Sequence, residues 1–476
     1  MGLFQNHMMA AAASVPGVAY TIDNSCLFNI DDTAYLARDV ATTLSNKFTY
    51  SFWVKRLTFG TYQYIVTWRD GTGAGSPYGM IQFNNDDTIS PFEYDTASSS
   101  NYAVYTVTDA TFRDPSIWYH IVVNFDYTRA TSDRVRVYVN GTLQTFGTNE
   151  NSASAGTPQS QATGSDGNFL GVAKLYNAST QRGDFYMAEV HLVSDAALAA
   201  SAFGKTNTDG DWVPIEYTGS YGDEGHFLDF ESSGDLGNDV SGNNNDFTSS
   251  GLAAADQVTD TPTSNKSVLN PRTDTGVGHL SAATISDGGL VITMTASSLS
   301  TRAPATLKVS SGKWYWEAKY TGNASGQGYG HIGIWDSGTA LPTYTVGGGV
   351  AGANEWIFGD GGLKNHDNTS SDTGLGNWAV NNIIQVCIDL DADKIWFGFQ
   401  NTFQGDPAAG SGESFSSIGD DIVPVIYGYG GGSGQGNWGP INFGQRDFAY
   451  TPPTGFEAIA SDNSQDVTVS TAPTPT

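Results

Sequence analysis

"DRVRVYVNGTLQTF", residues Asp133–Phe146, decides the fold class. Val135, Val137 and Val139 alternate with Arg134, Arg136 and Tyr138, the two-residue period of a strand with one face in a core and the other in water. The alternation stops at Asn140-Gly141, the dipeptide that best tolerates the positive φ angles of a tight hairpin. The preceding "WYHIVVNFDY" (118–127) reads as a second strand and "FTYSFWVKR" (48–56) as a third. One short helix is predicted in this half of the chain, "DAALAASAFG" (195–204). Short alternating runs recur throughout, punctuated by many of the 57 glycines and 17 prolines. The pattern predicts an all-β protein built of antiparallel β-sandwiches.

A chain of 476 residues exceeds one ordinary domain and predicts two to four. With 23 Tyr, 24 Phe and 11 Trp, aromatic rings are expected to supply much of the buried surface. Lys and Arg number 21 against 49 Asp and Glu, and the formal charge of −28 is spread without an acidic block. That balance serves solubility. No basic stripe is present to displace phosphate counterions, which argues against a nucleic-acid partner. Cys26 and Cys387 are far apart and flanked by strand-like residues, so two buried free thiols are expected and a disulfide framework is excluded. The opening "MGLFQNHMMAAAASVPG" lacks the Lys or Arg of a secretory signal, and its apolar run is too short to cross a bilayer. Asn6 also breaks the myristoylation pattern. No membrane insertion is expected.

The order "FTYSFWVKR", "WYHIVVNF…RVRVYVNGTL" and "FYMAEVHLVSDAALAASAFG" resembles laminin-G-like and concanavalin A-like jelly rolls, over about Asp23–Gly204. The first domain is placed at 23–210, followed by a polar connector at 211–273. Within the connector, Asp239–Asp246, "DVSGNNND", resembles a turn found near laminin-G-like domains. Asp239, Asn243 and Asp246 offer oxygen ligands for Ca²⁺. The same side chains can instead bond their own backbone as an Asx-rich loop, the reading preferred here. In the second half, "KWYWEAKY" (313–320) sets Trp314, Trp316, Ala318 and Tyr320 on one face. "IIQVCIDLDADKIWFGFQN" (383–401) reads as a hairpin, and "INFGQRDFAYTPPTGFEAI" (441–459) closes the set. This succession resembles a SPRY domain, placed at 274–460, with a Ser/Thr/Pro-rich tail at 461–476. The resemblance implies a β-sandwich that binds partners through its loops and carries out no chemistry.

The sequence carries no motif that points to an enzyme. "DLDAD" (389–393) fails as an EF-hand because Lys394 occupies the glycine position and Gln400 the final glutamate position. Jelly-roll glycosidases need acids flanking the sugar bond about 5 Å apart. The nearest pair, Glu93 with Asp95, has no third acid beyond it and reads as a solvated strand face. There is no Gly-x-Ser-x-Gly elbow, His-Glu-x-x-His or P-loop. His120 reads as a packed or edge residue. The two binding-type sandwiches in a Cys-poor acidic chain resemble tailed-phage virion proteins. That resemblance implies a fibre or capsid-decorating protein, assembled in host cytoplasm and displayed on the virion surface. It implies no enzymatic activity, no cofactor, and a host surface glycan or protein as ligand. Leu3, Phe4, Met8 and Met9 fall on one side of a short helix in the segment 1–22. Their expected role is attachment to another virion protein or to a neighbouring copy in a homo-oligomer. A polysaccharide-degrading virion enzyme and a bacterial surface adhesin are the alternatives.

Overall fold

The computed structural model describes residues 20–40, 44–69, 77–94, 102–150, 169–174, 183–272, 280, 283–294, 299–322, 330–338, 352–431, 434–462 and 467–469. The proposed attachment residues Leu3, Phe4, Met8 and Met9 lie outside them, as does Asp95. Among the described residues the regular structure is strand and three-residue 3₁₀ turns, with no α-helix. Contacts divide the chain into two units, Val18–Thr263 and one containing Ser264–Thr476.

The first unit contains, in chain order, β1 (Ser25–Phe28), β2 (Tyr35–Asp39), β3 (Lys47–Arg56), β4 (Gln63–Arg69), β5 (Tyr78–Phe83), β6 (Ile89–Tyr94), β7 (Tyr102–Thr108), β8 (Tyr119–Asp126), β9 (Val135–Val139) and β10 (Thr142–Leu143). It continues with β11 (Phe146–Asn149), β12 (Phe169–Val172), β13 (Phe185–Ser194), β14 (Gly204–Thr206), β15 (Trp212–Pro214), β16 (His226–Leu228), β17 (Thr248–Ser250) and β18 (Gln257–Val258). One sheet runs β10-β9-β8-β3-β13-β1-β18, with β16 also on β13. The other runs β11-β7-β6-β5-β4-β12-β2-β17. Between them lies an aromatic core: Phe48 stacks on Phe125 at 4.5 Å, and Trp68 meets Phe48 edge-on at 5.5 Å. Both cysteines are free and buried.

The Val135–Leu143 hairpin forms as its pattern predicts. Val135, Val137 and Val139 are buried, and Asn140 and Gly141 take φ of 47° and 76° between β9 and β10. Arg134 departs from the alternation. It is buried, with its guanidinium 5.6 Å from the Tyr127 ring.

Two other expectations are corrected. The helix predicted at 195–204 is reduced to a 3₁₀ turn at Ala200–Ala202. Sheet side chains capture its backbone first: the Thr49 hydroxyl donates to Ala196 O and accepts from Leu198 N, while Asn124 Nδ2 donates to Leu198 O. Those groups are then unavailable to an i→i−4 ladder. The connector placed at 211–273 is not a linker. Through residue 263 it belongs to the first unit, adding β16 to β13, β17 to β2 and β18 to β1. Phe203, Tyr221, Tyr217 and Trp212 pack over Val122 and Val193, covering the outer face of the first sheet with a satellite core.

In the second unit one sheet runs Ala283–Ser286, Val291–Met294, Trp438–Asn442, Lys313–Tyr320, Ile383–Asp389, Lys394–Phe399 and Thr402–Phe403. The other runs Thr369–Asp372, Leu363–His366, Glu355–Gly359, Gly330–Asp336, Ile422–Gly431, Leu307–Val309 and Val467–Val469. Trp314, Trp316 and Tyr320 are buried, and the hairpin pairs Ile384 with Phe399, Val386 with Phe397 and Ile388 with Ile395. The opposite face of Lys313–Tyr320 is covered as well. Tyr315 packs with Cys387, Trp396 and Phe456, and Glu317 accepts from Tyr315 OH, Ala449 N and Tyr450 N.

The start of this unit is earlier than expected. Val268 and Leu269 are buried, Leu307 N donates to Ser267 Oγ, and Thr306 N donates to Val268 O. A fragment 264–476 is therefore expected to unfold cooperatively on its own. One beginning at 274 should be less stable by about 2–5 kcal/mol, the cost of removing a pair of core side chains. Denaturant titration of both fragments checks this; equal midpoints would contradict it.

Candidate functional site

Residues 239–246 form a closed loop. Asp239 Oδ1 accepts from Phe227 N and Ser241 N, at 2.8 and 2.9 Å, and its Oδ2 from Asn245 N and Ser241 Oγ, at 2.8 and 2.9 Å. Asp246 accepts from Asp239 N, and Asn243 Nδ2 donates to Gly222 O and Gly225 O. Asp239, Asn243 and Asp246 are thus brought together, but the Asp239 carboxylate is surrounded by donors, which compete with any cation. Among the described residues no group of three His, Cys, Asp or Glu is arranged to hold a metal ion.

Glu93 reverses its expected orientation. It points between the sheets, fully buried, and accepts from Trp68 Nε1 at 3.1 Å and from Tyr127 OH. Gly79, paired with both Trp68 and Glu93, lets the Trp68 ring cross the intervening strand. A Cβ at position 79 would meet that ring at 2.2 Å. Burial, then the neighbouring Glu93, pushes the Tyr127 phenol far above its ordinary range. A carboxylate enclosed in this way has no access to a sugar bond. Glu93→Leu would orphan two buried donors and is expected to cost about 1–3 kcal/mol, read as a lowered unfolding midpoint. An unchanged midpoint would contradict the assignment.

The buried histidines of the first unit are structural too. His120 stacks on Trp53 at 4.6 Å. Its Nδ1 accepts from Trp212 Nε1 at 2.9 Å, so Nε2 carries the proton and donates to Ser51 Oγ at 2.9 Å. Burial lowers its pKa to about 3 from the ordinary 6.5, and burial likewise pushes His226 well below that value. A folded-state value below the unfolded one stabilises the protein above about pH 6.5, and the contribution is lost as pH falls toward 3. The unfolding midpoint is therefore expected to drop between pH 7 and pH 4; a flat profile there would contradict the neutral assignments. His191 bonds Glu189 and Tyr221 and lies 4.2 Å from Phe227, inside the satellite core.

What the sequence reading missed is the outer face of the second sheet. In β6, Ile89 and Glu93 face the core, so Phe92 and Tyr94 face outward, where Tyr64 and Met80 join Phe92 in a cluster flanked by Tyr78 and Tyr105. Tyr102 stacks on Tyr105 at 4.7 Å and lies 5.8 Å from Tyr94, itself 5.6 Å from Tyr78. Among the described residues, the exposed large hydrophobics include two aromatics, Tyr62 at 41% and Tyr102 at 38%. Tyr102 stands on this face, and Tyr62 adjoins it as a charge neighbour of Tyr64 and Tyr105. Burial, followed by the neighbouring phenols, raises Tyr64 and Tyr105, which keeps their hydroxyls protonated. The available signal was the density of tyrosine, six of the chain's 23 between Tyr62 and Tyr105.

Residues 29–202 match the Concanavalin A-like lectin/glucanases superfamily. The tyrosine face therefore belongs to a concanavalin A-like sandwich. Solved structures similar to part of the chain include the SPRY domain of human HERC1, 16% identical with a TM-score of 0.29, over 38% of this chain and 99% of that one. Another is a SAP-like pentraxin from Limulus polyphemus, 14% identical with a TM-score of 0.29, over 38% of this chain and 80% of that one. A sialidase from Trypanosoma rangeli is 14% identical with a TM-score of 0.23, over 33% of this chain and 21% of that one. No curated protein matches the chain in sequence.

Proposed function

We propose that this chain is a non-enzymatic glycan-binding protein of a virion surface, a fibre or capsid-decorating component that attaches the particle to its host. The observation that carries the binding role is the tyrosine face on a sandwich of the concanavalin A-like lectin/glucanases superfamily. Tyrosine offers a rigid apolar ring with a polar tip, which suits the apolar faces and hydroxyl rims of sugar rings. The enclosed Glu93 supports binding without hydrolysis. The virion placement and the docking of the N-terminal segment rest on the order of sandwich modules in the sequence.

The test uses the full chain and the 264–476 fragment on an array of bacterial surface glycans, with release of reducing ends measured in parallel. The full chain is expected to bind, the fragment not to bind, and neither to release reducing ends. Hydrolysis, or binding confined to the fragment, would overturn the reading. Mass spectrometry of purified particles addresses the virion placement: absence of the chain from them would remove it.

A further inference from the structure

We propose that the tyrosine face holds an extended, uncharged glycan chain, laid across the strands from Tyr102 to Phe169; this rests on the glycan-binding reading above. Register makes the row continuous. Tyr102 pairs with Tyr94, Tyr94 with Tyr78, Tyr78 with Arg69 and Arg69 with Phe169. Directly paired residues point to the same face, so five strands contribute one side chain each to a line about 19 Å long at the usual interstrand spacing. A second row beside it runs Tyr105, Phe92, Met80, Thr67 and Gly171. It grades from bulky to small residues, and at the small end the Phe169 ring lies over Gly171, where a Cβ would meet it at 2.6 Å. A line of this length fits successive units of a polymer better than one terminal sugar.

Charge selects the class of polymer. Among the described residues the cations of this face are Arg69 and Lys174. Arg69 is 7% exposed, and the Lys174 ammonium lies 3.9 Å from the centre of the Tyr35 ring and 5.1 Å from that of Phe169. Both are held by the protein and presented poorly to a ligand. At the other end Glu150 exchanges both backbone hydrogen bonds with Tyr105, which puts its exposed side chain on the same face. Asp86 is close enough to act on the same phenol. The chain as a whole carries −28. A uronate or sialylated polymer would meet this acidic edge, where among the described residues the nearest exposed cation, Arg113, is already paired with Asp87 and bonded to Asp86 O. An uncharged polymer meets no such repulsion and gains the ring contacts.

The experiment is affinity electrophoresis and calorimetry of the full chain with soluble β-1,3-glucan, galactomannan and dextran as uncharged probes, and alginate and polysialic acid as charged ones. Each is measured at about 0.05 M and about 0.5 M NaCl, where charge interactions separate from stacking. Binding of at least one uncharged probe, changing less than about twofold with salt, is expected. Tyr102→Ala should weaken it roughly tenfold without moving the unfolding midpoint, and Tyr94→Ala should weaken it as much with a small drop in midpoint, since Tyr94 also packs on Tyr78. Confinement of binding to the acidic probes, or its collapse at high salt, would overturn the charge assignment and leave the glycan-binding reading standing. Undiminished binding by both variants would move the site off this row. If no probe binds and the glycan array is also blank, both readings fall together.

Discussion

Lys55 and Asp260 form an ion pair with no solvent exposure on either side chain, 2.8 Å apart, and the architecture of the first unit depends on it. The second oxygen of Asp260 accepts from Trp118 Nε1 at 3.0 Å, and its carbonyl accepts from Ser25 Oγ at 2.6 Å. Two charges taken out of water need that many partners, and removing one alone costs about 3–5 kcal/mol. Lys55 lies on β3, in the centre of the first sheet, and Asp260 follows β18, late in the unit. The pair therefore ties the return of residues 204–263 across the outer face of that sheet. With this face covered by the satellite core, the exposed aromatics of this unit among the described residues, Tyr62 and Tyr102, belong to the second sheet's side.

That asymmetry explains why an acid sits in the core. β6 has aromatic residues at Phe92 and Tyr94 and a carboxylate at Glu93, so ordinary alternation would bury the rings and wet the acid. The structure does the reverse, and a shift of one residue in a strand exchanges every side chain between faces. Ile89 before it and Val104 opposite Glu93 fix the register inward. The inversion packs Phe92 with Tyr64 and Met80 on the outer face and sends Glu93 inward to Trp68 and Tyr127. A strand that sets its core-like residues outward is one whose outer face has a use beyond solubility.

The legibility of the sequence follows the range of the interactions. The Val135–Val139 alternation and the Asn140-Gly141 turn are local, and they predicted both strands and hairpin. So did the Ile384–Ile388 and Ile395–Phe399 pattern for the second unit's hairpin, whose register the structure supplies. The Asp195–Gly204 helix failed because Thr49 and Asn124, distant in sequence, bind the backbone that a helix would need. The connector failed because strands of two or three residues, such as His226–Leu228 and Gln257–Val258, are too short to display a period. The tyrosine face stayed hidden for the third reason, the facing of β6, which depends on residues across the sheet.

Aromatic content by itself does not distinguish a surface from a core. Trp314, Trp316, Tyr320, Trp378, Trp396 and Trp438 crowd the second unit, yet all are fully buried, and Tyr315 and Phe456 close the opposite face of the Lys313–Tyr320 strand. Its exposed large hydrophobics among the described residues, Leu363 and Val380, are aliphatic. Those rings hold a sheet together from both sides. In the first unit Tyr102 is exposed beside Tyr94 and Tyr105, partly buried rings that hold it in place, so a partner would meet a ring whose ordering cost was met on folding. Exposure combined with fixed orientation, more than the number of rings, separates a recognition surface from a core.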